Sequence, residues 1–193
     1  MLTRCRWVTS GFLSQELVEY HDQEYSRPVY DEQKAFEYLV LEIFQSGLSW
    51  QTVLKKRGAL KEDFFDFDVE KVAGMKVFDV ERLMRDPRII RNRRKIEAVI
   101  SNAKILEEWH KRGETLIDWL WHFTDGLMID IGPEAEEKLP AATRLSKAVA
   151  KDLKALGFSF TGPVVVESLL QAVGIHNGHN QDCDWHDLVT KEQ

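Results

Sequence analysis

Convincing alternation of apolar and polar residues, the mark of a half-buried strand, is missing from this chain of 193 residues. Its apolar residues recur instead at helical spacing, which predicts an all-α protein. Asp31 can cap a helix that carries Phe36, Leu39, Val40 and Ile43 and closes at Gly47, and Ser49 can cap a second helix over 50–56. "DFDVEKVAGM" and "DVERLMRD" read as short helices with acidic openings that suit the N-terminal dipole. Pro87 breaks the chain, and a long helix is expected from Ile89 to Trp109, with "LIDWLWHF" following. Residues 124–140 contain Gly and Pro without a clear period and read as a loop. Leu145, Val149, Leu153 and Leu156 lie near one face of a helix ending at Gly157. Pro163 suits the first turn of a last helix, Val164 to Val173, stopped by Gly174. No repeat or low-complexity segment divides the chain. One domain spanning 1–193 is expected, long enough for a sizeable core.

Hydrophobic residues make up 44% and charged residues 30%. No apolar run approaches the roughly 20 residues that span a bilayer. The opening "MLTRCRWVTSGF" lacks the apolar core of a signal peptide. A cytoplasmic protein with no membrane association is the expectation. The net charge of −6 argues against a broadly basic nucleic-acid binder. Charge is nevertheless uneven. Between Arg85 and Lys104 seven residues are basic (Arg85, Arg88, Arg91, Arg93, Arg94, Lys95, Lys104), opposed only by Asp86 and Glu97. Lys55, Lys56 and Arg57 form a second cluster. Such a stripe can hold a phosphate backbone, and it can equally be a solvated helix face.

The only two cysteines, Cys5 and Cys183, lie almost at opposite ends of the chain. His179 precedes Cys183 by four positions, a spacing that lets both reach one metal from a turn. The N-terminal end offers Cys5 and His21. Two thiolates and two imidazoles would make a closed tetrahedral zinc site. His176 and His186 compete as ligands on spacing alone, and two inert buried cysteines remain the plain alternative.

Of the two carboxylates in "FEYLVLEIFQSGLSWQTVLKKR", Glu42 sits inside an otherwise apolar run. On a helical wheel Glu42 falls at the edge of the apolar arc, where a rim salt bridge is common. Trp7, Tyr20, Tyr25, Tyr38 and Trp50 crowd the same N-terminal quarter. Aromatic faces around one carboxylate suit a flat cationic heterocycle, and they suit plain core packing as well.

Several motifs occur in one order: "RCRWV", "YHDQEY", "LEIFQSGLSWQTVLKKR", "FDVEKVAGM", "DVERLMRDPRIIRNRRKI", "DWLWHF", "LSKAVAKDLKALGFSFTG" and "SLLQAVGIHNGHNQDC". Together they resemble the bacterial 3-methyladenine DNA glycosylase I family, within the helix-hairpin-helix glycosylases, over nearly the whole chain. The resemblance implies a helical glycosylase domain whose terminal segments are clipped together by one structural zinc on Cys5, His21, His179 and Cys183. It places the base-contacting and catalytic carboxylate at Glu42, the stacking tryptophan at Trp50 and pocket aromatics at Tyr20, Trp7 and Tyr25. Many relatives have Trp where this chain has Tyr25. Gly47 and Leu48 match the segment that enters the DNA stack. The backbone grip matches the region 85–95, with Arg91, Arg94 and Lys95 as candidate phosphate contacts. Three departures stand out. "SQELVE" lengthens the arm before Tyr20, "SRP" at 26–28 replaces a common Gly-Val-Pro, and "RDPRIIRN" lacks the usual Gly-rich turn.

The implied function is repair. The protein flips 3-methyladenine from double-stranded alkylated DNA and hydrolyses its N-glycosidic bond, leaving an abasic site and the free base, and acts as a monomer. The competing reading is a non-catalytic, zinc-stabilised binder of damaged DNA. A hydrolytic zinc is disfavoured, because two cysteines and two histidines leave no open coordination position.

Overall fold

The computed structural model describes residues 2–9, 14–134 and 137–192. Helix α3 (Glu32–Gln45) is the pivot. It begins where the Asp31 side chain accepts from the Lys34 N–H at 2.7 Å. It packs against α4 (Trp50–Leu54), α8 (Arg93–His110), α9 (Leu116–His122) and α11 (Pro163–Ala172). Being surrounded, it buries almost every residue from Ala35 to Phe44. Ser49 caps α4 by accepting from the Thr52 N–H. The helix expected over 50–56 stops at Leu54, and a separate helix, α5 (Arg57–Asp63), follows. The two short helices read from the sequence are α6 (Val69–Ala73) and α7 (Val77–Arg85). Both α6 and α7 pack on α8.

The long helix α8 starts at Arg93, four residues later than expected. The Asn92 side chain accepts from the Lys95 N–H and sets the start. Ile89 had read as helical because it is apolar. It is buried in the preceding linker instead.

The N-terminal arm contains two helices that periodicity did not reveal, α1 (Arg6–Thr9) and α2 (Gln15–Gln23). The lengthening segment "SQELVE" is the start of α2, with Ser14 as its cap. Residues 124–140 hold one short strand, β1 (Ile129–Asp130), paired in parallel with β2 (His176–Asn177). Two-residue strands are too short to show alternation. Helix α10 (Arg144–Ala155) and α11 pack against each other across a short turn. Beyond α11 and β2 lies a further helix, α12 (His186–Thr190), where α11 had been expected to be the last.

Candidate active site and metal centre

Cys5 precedes α1, His21 ends the buried side of α2, and His179 and Cys183 lie in the turn between β2 and α12. All four side chains are buried, and their ligand atoms lie within 4.8 Å of one another. Cys5 Sγ stands 3.3 Å from His179 Nδ1. Cys183 Sγ stands 3.5 Å from the same nitrogen and 3.6 Å from His21 Nε2. Tetrahedral zinc with its usual bond lengths separates sulfur and nitrogen ligands by about 3.6 Å. The donor set and these three sulfur–nitrogen distances fit such an ion. The other nitrogen of each histidine is also fixed, as metal-binding imidazoles require. His21 Nδ1 is 2.7 Å from Asp22 Oδ1, and His179 Nε2 is 3.1 Å from the Tyr25 carbonyl. Burial pushes His179 down, towards the neutral ring a metal binds. The two rival histidines are engaged elsewhere, His176 on Glu167 and His186 on Asp130 and Asp187. The cluster joins the chain's ends, with the backbones of Thr3 and Asp184 bonded beside it.

Next to this cluster is a cavity of about 230 Å³. Trp7, Tyr20, Tyr25, Glu42, Gln45, Trp50, Ser168 and Gln171 line it, with Leu139 at its rim. Four of the five aromatics singled out from the sequence meet here, edge to face. Trp7 and Tyr25 centroids are 5.0 Å apart, Tyr20 and Trp50 also 5.0 Å. The fifth, Tyr38, lies behind Tyr20 and donates to Glu24 at 2.8 Å.

Glu42 is only 4% exposed, and no cation or donor reaches its Oε2. The rim salt bridge expected of a helix-edge carboxylate is absent among the described residues, because α3 has no solvent edge at that position. Burial alone pushes this carboxyl up to about 8. Trp7 Nε1 and Trp50 Nε1 are likewise buried without partners. Three of the four such atoms among the described residues thus belong to this one cavity. Unpaired buried polar groups are costly, and their concentration here marks a site shaped for a ligand rather than a packed core. The Tyr20 and Ser168 hydroxyls make no hydrogen bond within the described residues either. Sequence reasoning missed Gln45, Ser168 and Gln171. Their only signal was helical spacing, Ser168 and Gln171 sharing one face of α11.

The turn between α3 and α4 stands beside the cavity, since Gln45 and Trp50 flank it. Gly47 has φ +82°, a left-handed conformation that other residues adopt only with strain. It leaves Leu48 42% exposed.

The basic stripe divides. Arg88 is paired with Asp86 and Glu62, and Arg93 with Glu81. In the second cluster Arg57 is paired with Glu24 and Glu37, and the Lys56 ammonium donates to the Arg88 carbonyl. Lys95 departs from expectation. It is buried, and its ammonium donates to the carbonyls of Phe44 (2.8 Å) and Ser46 (2.6 Å). Those oxygens are orphans at the end of α3, so Lys95 serves as an internal cap and not as a phosphate contact. Exposed Arg85 and Arg91 carry no ion pair among the described residues, and Arg94 lies over the Phe160 ring. A second group of exposed cations, without ion pairs among the described residues, went unread. Lys147, Lys151 and Lys154 surround the α10–α11 turn on one helix face. Their i, i+4, i+7 spacing was visible, but that segment was read only for its apolar face.

The chain matches the methyladenine glycosylase family over residues 7–187. It is 39% identical to the DNA-3-methyladenine glycosylase of Haemophilus influenzae, over 95% of this chain and 97% of that one. A crystal structure of a 3-methyladenine DNA glycosylase I superposes with a TM-score of 0.89 at 40% identity, covering 94% of this chain and 98% of the other. A variant of a 3-methyladenine DNA glycosylase I in complex with 3-methyladenine superposes at 0.87, with 35% identity over 93% and 96%.

Proposed function

The chain belongs to the methyladenine glycosylase family, and on that footing we propose that it excises 3-methyladenine from alkylated double-stranded DNA. The observation that carries this reading is the cavity of aromatic walls around one buried, unpaired carboxylate. A purine methylated at N3 carries a positive charge. Trp50 stacks on its face, a cation–π contact worth up to about 2 kcal/mol when desolvated. Glu42 accepts from its exocyclic amine. Trp7, Tyr20 and Tyr25 close the walls.

The charge on the base also explains how little else the chemistry needs. When the C1′–N9 bond breaks, the electron pair goes to the ring and the base departs neutral. Water adds to C1′ and gives up a proton, leaving an abasic sugar. No strong base is required to activate that water. Glu42 favours the cation before reaction as well as during it. It accelerates the step only so far as it also favours the positive sugar of the transition state.

Extrusion of the nucleotide costs a few kcal/mol. Leu48, held out by Gly47, fills the gap. Arg91 and Arg94 hold phosphates near it, and Lys147, Lys151 and Lys154 give a second backbone contact at the α10–α11 turn. The metal centre is zinc in this reading. Held by Cys5, His21, His179 and Cys183, it supplies a structural cross-link between the ends of one helical domain. No helix is long and apolar enough to cross a membrane. In this reading the protein acts as a cytoplasmic monomer.

The test is direct. DNA methylated at purine N3 is incubated with the protein and the released bases are separated and quantified. Free 3-methyladenine is expected. Leu48→Ala lowers release from duplex several-fold while leaving affinity for the free base unchanged. Arg91→Ala and Arg94→Ala weaken binding alike to damaged and undamaged duplex. A parent that binds damaged duplex but releases no base is the non-catalytic binder. Unaltered duplex processing by the Leu48 and Arg variants misassigns the DNA surface.

A further inference from the structure

Helix α11 presents Ser168 and Gln171 to the cavity, and what lies behind Gln171 fixes its chemistry. Glu167, one turn earlier, is fully enclosed. Its Oε1 accepts from His176 Nδ1 at 2.7 Å and from Gln171 Nε2 at 3.1 Å. Its Oε2 accepts from the Thr143 N–H at 3.0 Å and hydroxyl at 2.7 Å. Burial works to raise this carboxyl, but His176, Thr143 and Gln171 hold it down at about 2. It is therefore an acceptor at any working pH, and the Gln171 group facing it must be the NH₂. The amide carbonyl then turns to Tyr25, whose hydroxyl donates to Oε1 at 2.7 Å. Space for that hydroxyl exists because residue 178 is glycine. A Cβ there would come within 2.2 Å of Tyr25 Oη and 3.2 Å of Gln171 Oε1. With the carbonyl and one N–H so engaged, the half-buried amide keeps one N–H uncommitted on the cavity wall.

We propose that Gln171 determines which methylated purine the pocket accepts. Locked as a donor, it reads a bare ring nitrogen while Glu42 reads the adjacent exocyclic amine. Adenine offers that pair, a 6-amino donor beside unprotonated N1. Guanine inverts it, with a 6-carbonyl acceptor beside an N1–H donor that meets the Gln171 N–H head on. Glu167, His176 and Tyr25 are positioning residues that keep the amide from turning over. The inference rests on the cavity being the base pocket, as in the reading above.

The measurement is the ratio of 3-methyladenine to 3-methylguanine released from one preparation of DNA methylated at purine N3, recorded beside melting curves. Gln171→Met keeps the volume and removes the donor. The ratio is expected to fall about three- to tenfold, the worth of one neutral hydrogen bond. Tyr25→Phe leaves Gln171 in place but frees its amide to rotate, and the ratio is expected to fall in the same direction by a smaller factor. Should one variant not fold, the other carries the test. A purely structural role lowers release of both bases alike. An unchanged ratio in a folded variant, at whatever overall rate, overturns the role of Gln171 while leaving the pocket intact. A parent that releases neither base overturns the reading of the pocket, and this inference with it.

Discussion

Glu42→Gln lowers excision of 3-methyladenine roughly 10- to 150-fold, since a charge-assisted hydrogen bond contributes about 1.5–3 kcal/mol. Affinity for the free base falls with it. The fold survives, because the carboxylate has no ion pair to break. Its pH behaviour separates this outcome from a packing defect. Glu42 ionises near 4.5 when exposed, and burial raises it to about 8 in the folded chain. Below 4.5 both states hold the proton and stability does not depend on this group. Between 4.5 and 8 the unfolded chain releases a proton that the folded chain keeps, so stability falls as pH rises. Beyond 8 the loss is complete. Gln titrates nowhere in that window. The variant therefore melts above the parent at pH 8, and the gap closes towards pH 4.5. Binding of duplex that carries the cationic N3-methylated nucleotide moves oppositely in the parent, tightening towards pH 8 as Glu42 gives up its proton more readily. Calorimetric melting and titration of lesion duplex at both pH values check these signs. Parent-like affinity in the folded variant, or a melting gap independent of pH, returns Glu42 to an incidental role.

With zinc on the proposed cluster, Cys183→Ser is expected to abolish metal binding and to lower the melting temperature by roughly 5–20 °C. Opening a cross-link between distant residues costs about 2–5 kcal/mol, and each kcal/mol shifts a chain of this size by about 2–4 °C. Cys5, His21, His179 and Cys183 converge only in the native chain, so binding of a metal there would be part of its folding free energy. Elemental analysis is expected to find one zinc per chain in the parent and little in the variant. A strong chelator moves the parent's melting curve towards that of the variant. No stoichiometric zinc in the parent, or zinc content and melting unchanged by the substitution, removes the metal centre.

How far the sequence could be read depended on whether a signal was local. Asp31 and Ser49 cap their helices through side chains acting on the next turn, and these starts were legible. The start of α8 was not, because Ile89 and Ile90 look helical until Asn92 is seen to cap three residues on. The parallel contact of β1 with β2 joins residues far apart in the chain and leaves no local trace. Glu42 was placed at the edge of an apolar arc because a wheel assumes one buried face. A helix packed on several sides has no such edge. Charge was hardest to read. Lys95 and Arg94 are neighbours in sequence, yet one is enclosed and the other exposed, and only tertiary contacts distinguish them. The metal ligands and pocket aromatics were individually weak signals, weighted by their order along the chain rather than by any single spacing.

The Lys95 cap has a mechanical meaning. Its ammonium, fixed to the first turn of α8, grips the two carbonyls that lead into the exposed turn carrying Leu48. Arg94, the adjacent residue, faces outward from the same turn of the same helix. The exposed guanidinium of Arg94 and the ammonium that holds the Leu48 turn thus stand one residue apart on one helix. The turn that carries Leu48 is thereby tethered to α8 by one buried ammonium.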